Sequence, residues 1–197
     1  MQRRQAVIAV FGVLVALAGC QGVLGSGPED IESSFDDGVQ GWTITGDAQD
    51  GSAAPTHNTE GGDSGGYVSA NDDVTGGVWF WAAPDRYLGD RSDYEEGTLS
   101  FALTQSATDS GFEARDVVLA SGSTELAYRF DSPPGTDWTD YDVSLSSAGW
   151  TNSETGDPAT DEELQLVLEN VEYLWIRGEY RTGSDTGGLD SVVLSGP

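Results

Sequence analysis

In several segments of this chain the apolar residues recur at every second position. Leu99, Phe101 and Leu103 share one face of an extended segment, and Leu126, Tyr128 and Phe130 share one face of another. That is the period of a strand with one buried side. Segments of this kind occupy 42–45, 67–70, 78–82, 98–104, 115–120, 124–130, 141–145, 173–180 and 189–195. Each is rich in β-branched or aromatic residues, and clusters of Gly, Pro, Asp and Ser separate them. The pattern predicts an all-β domain, an antiparallel two-sheet sandwich. The 78–82 segment is apolar on both faces, with Val78 and Phe80 opposite Trp79 and Trp81, and such a strand is expected to be buried.

One stretch changes period. Thr160 and Glu163 have the spacing of a capping box, and Leu164, Val167, Leu168 and Val171 then fall at i, i+3, i+4 and i+7. Asp161, Glu162 and Glu163 occupy the first turn, where the helix dipole favours anions. A short helix near 160–171, laid over one open end of the sandwich, is predicted.

The first residues follow a third pattern. Arg3 and Arg4 precede an apolar or small run from Ala6 to Gly19, and the single cysteine, Cys20, comes next. Residues 1–19 read as an export signal. As a helix the run would cover roughly 21 Å, too short for a ~30 Å hydrocarbon core. The sequence "LAGC" is similar to the lipobox of exported lipoproteins, which implies a lipid on Cys20 and a domain held at the extracellular face of the cell membrane. The paired arginines resemble a twin-arginine signal, with Gln5 and Ala6 where bulky apolar residues usually follow. Residues 20–32, with Gly, Ser and Pro and few apolar residues, read as anchor and tether. Residues 33–197 remain as one domain. With Cys20 committed to the anchor no disulfide is available, so the core has to hold the fold.

Charge changes the picture next. There are 34 acidic residues against eight basic ones, all arginine, for a net charge of −26. Such a shell repels itself at low ionic strength, and at molar salt a Debye length of about 3 Å screens it. The composition resembles that of proteins from extreme halophiles. It disfavours nucleic acid as a partner, and contact with the membrane is expected only through the lipid.

Six blocks then carry a resemblance: "SFDDGVQGWTITG" (34–46), "PTHNTEGGDSGGYVSANDD" (55–73), "WFWAAPDRYLGDRSDYEEGTLSF" (79–101), "DVVLASGSTELAY" (116–128), "WTDYDVSL" (138–145) and "IRGEYRTGSDTGGLDSVVL" (176–194). Their order resembles that of laminin B domains, also called laminin domain IV. The resemblance implies a galactose-binding-like jelly roll without catalytic activity, found in matrix, surface or secreted proteins. Where that family tends to show Tyr-Gly-Gly, this chain has Tyr94-Glu95-Glu96 before Gly97.

Candidate chemistry is sparse. His57 is the only histidine, so a Ser-His-Asp triad would have to use it, and its turn-like context "PTHNTEGG" points to a structural role. Zinc lacks a ligand set. With 34 acids, carboxylate pairs suited to glycoside hydrolysis arise by chance and carry no signal. Jelly-roll modules often hold a structural calcium where first and last strands meet. That resemblance makes Asp36 and Asp190 its expected ligands, set against a halophilic acidity that binds no ion. For a sugar, aromatic platforms are the handle. Trp79 and Trp81 share one strand face, and Trp175, Arg177 and Glu179 share a face of another. The alternative for each tryptophan is the core, and for Arg177 and Glu179 a mutual ion pair. Trp42, Trp138 and Trp150 stand singly. The segment 81–97 reads as a solvated loop between strands, with Arg86, Asp90 and Arg91 pairing locally. The expected function is a non-catalytic extracellular binding or adhesion module contacting glycan or a surface-layer or matrix protein. A purely structural envelope lipoprotein is the alternative, and a polysaccharide-acting enzyme the third.

Overall fold

The computed structural model describes residues 27–47, 54–72 and 76–197. In chain order its strands are β1 (Ile31–Ser33), β2 (Thr43–Gly46), β3 (Thr56–Asn58), β4 (Tyr67–Asn71), β5 (Trp79–Ala82), β6 (Thr98–Gln105), β7 (Val117–Ser121), β8 (Thr124–Tyr128), β9 (Thr139–Ser144), β10 (Trp150–Asn152), β11 (Tyr173–Arg177) and β12 (Thr186–Ser195). The helix α1 (Asp161–Leu168) lies between β10 and β11. Every strand pair is antiparallel. One six-stranded sheet runs β3-β4-β12-β6-β9 with β1 also on β12, and the other runs β10-β8-β7-β11-β5-β2. All nine predicted strand segments are present, and the fold is the expected all-β sandwich.

The ten-residue β12 takes two partners on one side. β4 pairs with Thr186–Leu189 and β1 with Val192–Leu194. Between them the ladder to β6 shifts register after Asp190. Ser191 there adopts φ 53°, and a bulge of this sort bends a strand locally. β1 corrects the tether boundary, because Ile31 and Glu32 are already strand. Pairing with β12, rather than the local composition, decides their conformation. The strands β1, β3 and β10 have three residues each, too few to show a period of two.

Between the sheets, Val68, Leu99, Phe101, Leu103, Leu189 and Val192 meet Trp79, Trp81, Val117, Leu119, Leu126, Trp150 and Ile176 from the other side, all at most 3% exposed. The tightest contact is at Trp79. A Cβ built at Gly178 would lie 1.8 Å from its ring, and one at Gly187 would lie 3.1 Å away. The indole fills the space that these two glycines leave.

The capping box of α1 is complete: Glu163 N donates to Thr160 Oγ1 at 3.2 Å and Thr160 N donates to Glu163 Oε2 at 2.8 Å. Leu164, Val167 and Leu168 are buried, where the helix packs on β7 and β8. It ends earlier than the apolar period suggests. Val171 instead exchanges two 2.8 Å backbone bonds with Gly89, and Arg91 N donates to Leu168 O. The 81–97 loop thus takes over the orphan carbonyls of the helix terminus. Two short 3₁₀ turns, Asp85–Tyr87 and Ser92–Tyr94, bury Tyr87 and Tyr94. Arg86 and Arg91 form no ion pair with the Asp90 carboxylate; Arg86 donates to the carbonyl of Gln40, and Arg91 to those of Asp90 and Arg86. Unmet carbonyls are the stronger demand on a guanidinium than an exposed ion pair. Glu96 takes φ 63°, the left-handed conformation that glycine adopts without strain.

Adding a methyl group at Gly178 must displace the Trp79 ring. Gly178→Ala should cost about 1–3 kcal/mol of unfolding free energy, measured by denaturant titration of the full-length chain. An unchanged midpoint would mean that the indole has room to move.

Candidate functional site

Trp79 and Trp81 are core residues. They are 2% and 0% exposed and meet edge to face at 4.9 Å. Arg177 and Glu179 are buried as well, but they do not pair with each other through their side chains. Arg177 Nη1 reaches Asp116 Oδ1 at 3.2 Å across the β7–β11 pair, and its other donors go to the carbonyls of Phe112 and Glu179. The guanidinium lies 4.6 Å from the Phe112 ring and 4.3 Å from that of Tyr180. This cluster ties three segments together and leaves no free fork for a ligand. Burial raises the Asp116 carboxyl above its ordinary range even beside Arg177.

Asp190 and Asp36 hold one loop. Asp190, fully buried, accepts from Ser64 N at 3.0 Å and from Ser191 N at 2.6 Å. Asp36 accepts from Gly66 N at 3.2 Å. A Cβ at Gly62 would be 2.6 Å from Asp190 Oδ2, and one at Gly65 would be 2.5 Å from Asp36 Oδ1, so the loop is glycine-rich because carboxylates press against its backbone. These carboxylates accept backbone N–H groups. Among the described residues no three His, Cys, Asp or Glu side chains group as metal ligands. His57 Nε2 donates to Phe35 O at 2.7 Å, a structural bond in the same region. Cys20 lies outside the described residues.

Trp175 is different. It is partly exposed on the outer face of the second sheet, stacked on Tyr173 at 4.2 Å and 22°, with Phe80 5.8 Å away. Register places Thr151, Ala127, Val118, Trp175, Ala82 and Thr43 in one row across that face. Arg115 stretches over it. Its guanidinium is paired with Glu125 on β8 and lies 5.8 Å over the Phe80 ring on β5. That accounts for the burial of Val118, which points outward but is 0% exposed. Glu125 also accepts from the Tyr173 hydroxyl at 2.8 Å. Burial first, then that bond, pushes the phenol up to about 12, so Tyr173 remains a donor at neutral pH. Beside this array a recess of about 420 Å³ opens, lined by Ala114, Arg115, Ala127, Arg129, Thr151, Asn152, Ser153 and Gly156. Among the described residues its lining has no carboxylate.

Of the residues singled out from sequence, only Trp175 belongs to this face. Tyr173 was legible from the same alternation, while Arg115, Glu125 and Arg129 come from other segments and are brought in by strand register alone. Trp42 and Trp150 are core. Trp138 lies on the opposite sheet, edge-on to Tyr67 at 5.3 Å and bonded to Gly61 O.

Burial, reinforced by Asp72, raises the Glu179 carboxyl to about 7 from 4.5. The folded protein therefore keeps a proton there that the unfolded chain has already released, and stability falls as pH rises across that window. Asp116 and Asp190, also raised, act in the same direction. Replacing Glu179 by Gln should flatten the stability-versus-pH curve between those two values. Parallel curves for the two proteins would show that the carboxyl titrates normally.

The family described as laminin B (domain IV) matches residues 80–196, short of the two N-terminal blocks. A basement membrane proteoglycan of Caenorhabditis elegans is 25% identical over 125 residues, which are 63% of this chain and 4% of that protein. This chain thus spans a small fraction of that relative's length. Among solved structures, the L4b domain of human laminin alpha-2 superimposes with a TM-score of 0.67 at 11% identity, covering 85% of this chain and 98% of that one. The family 11 carbohydrate-binding module of a Clostridium thermocellum cellulosomal cellulase gives 0.56 at 17% identity, covering 87% and 97%. These likenesses share the sandwich. The match over most of the sandwich makes the chain a member of the laminin B (domain IV) family.

Proposed function

We propose that this protein is a non-catalytic extracellular module that binds glycan on the outer face of the second sheet, held at the cell surface by a lipid on Cys20. The observation that carries the reading is the Tyr173–Trp175 stack, with a fixed Arg115–Glu125 pair and an open recess beside it. Aromatic rings give apolar surface to the C–H faces of a sugar, and immobilised polar groups orient its hydroxyls. Tyr173, Trp175 and Glu125 stand on strands, and Arg115 just before β7 is held by Glu125, so binding costs little side-chain entropy. The likeness to a carbohydrate-binding module supports a sandwich suited to this use, and basement membrane proteoglycan relatives support an extracellular setting. The anchor rests on the "LAGC" sequence before the domain.

The test is affinity electrophoresis of the full-length chain against a panel of polysaccharides in molar potassium chloride. Retention by at least one, weakened roughly tenfold in Trp175→Ala, about 1.4 kcal/mol, is expected. No retention by any polysaccharide would replace this reading with that of a structural envelope protein. For the anchor, Cys20→Ser should move the protein from the membrane fraction to the medium in cell fractionation, and a membrane-bound variant would refute lipidation there.

A further inference from the structure

The six arginines of the described residues fall into two groups. Arg86, Arg91, Arg177 and Arg181 donate to backbone carbonyls, those of Gln40, Arg86, Phe112 and Ser184 among them. They fasten loops. Arg115 and Arg129 donate to no carbonyl among the described residues, and both line the same recess on the outer face of the second sheet. Among the described residues each forms one ion pair. Arg115 gives Nη1 to Glu125, which leaves other donors of its five-N–H fork unused. Arg129 lies 3.9 Å from Glu113, and the two side chains are 63% and 94% exposed, so the pair contributes about 0–1 kcal/mol and yields readily to a better acceptor.

From this we infer that the recess takes the acidic group of an anionic saccharide, a carboxylate or a sulfate, held by Arg115 and Arg129 while a neighbouring ring of the same chain lies against Trp175. The inference rests on the glycan reading above and adds the class of glycan. Charge supplies the argument. In a chain of net charge −26, a recess whose only ionisable lining side chains are two guanidiniums is matched to an anion. Guanidinium forks suit carboxylate and sulfate-like oxygens bidentately. The floor is kept low by Ala114, Ala127 and Gly156, which leaves space between the two arginines. Ala127 and Trp175 stand in one row two strands apart, about 10 Å, so one oligosaccharide spans both. The acidic shell elsewhere repels a polyanion at low salt. Near 1 M salt that repulsion is screened beyond about 3 Å, whereas a pair made by the partly buried Arg115 is screened much less.

The experiment titrates the full-length chain with matched probes in about 1 M potassium chloride: polygalacturonate against its methyl ester, and dextran sulfate against dextran. At least one acidic probe should bind tenfold or more tightly than its neutral partner. Arg129→Gln, at an exposed position whose loss leaves the core intact, should remove most of that preference. Trp175→Ala should weaken both. Preference for the uronate or for the sulfate identifies the acidic group. Equal binding of charged and neutral partners, or an Arg129→Gln variant that keeps the preference, overturns the inference while the glycan reading stands. Failure of every probe, in a protein that also fails the wider polysaccharide panel, removes the glycan reading itself.

Discussion

The domain depends on filling one space between two six-stranded sheets. No cross-link helps, since Cys20 is the only cysteine, and the net charge of −26 works against compaction wherever salt does not screen it. What remains is close packing at crystal-like density. Trp79, Trp81, Trp42 and Trp150 are the largest filled volumes. The Trp79 indole rests on two glycines, Gly178 and Gly187, that a single Cβ would foul. Protein interiors yield poorly to such intrusions.

Around that core, polar groups are used for fastening. Ser33, buried on β1, receives the Trp42 indole N–H at 2.9 Å and meets the Tyr87 hydroxyl at 2.7 Å, while Tyr87 also donates to Val192 O on β12. The first strand, the 81–97 loop and the last strand are thereby joined at one hydroxyl. Asp190 and Asp36 pin the 61–66 loop, and Arg177 with Asp116 closes another corner. Each of these groups is costly to bury unless its bonds are complete. Arg177, at the end of β11, ties the strand that carries the Tyr173–Trp175 stack to the segment leading into β7.

Alternating residues in the nine predicted segments were enough to establish the sandwich, and Thr160 with Glu163 located the helix start, because both signals are local. Strand faces were legible too, so Tyr173 and Trp175 could be paired on one side of β11. What could not be read was which side faced water. Trp79, Trp81 and Trp175 belong to similar aromatic strands, yet two fill the core and one is exposed. Arg177 and Glu179 looked like neighbours on a face, but Arg177 turns to Asp116, 61 residues away in sequence.

Taken alone, the sequence of this protein determined its fold class, the position of its helix, its acidity and its lack of a disulfide, since periodicity, capping and composition act over a few residues or over the whole chain. The tertiary structure decided the rest. It showed Asp36 and Asp190 anchoring a loop, and turned β1 from tether into strand. It also gathered Arg115, Glu125, Arg129 and Trp175 from three strands and their flanks onto one face. These outcomes depend on strand register and on which backbone N–H and C=O groups remain unmet once the sheets close, and neither is written in any local stretch of sequence.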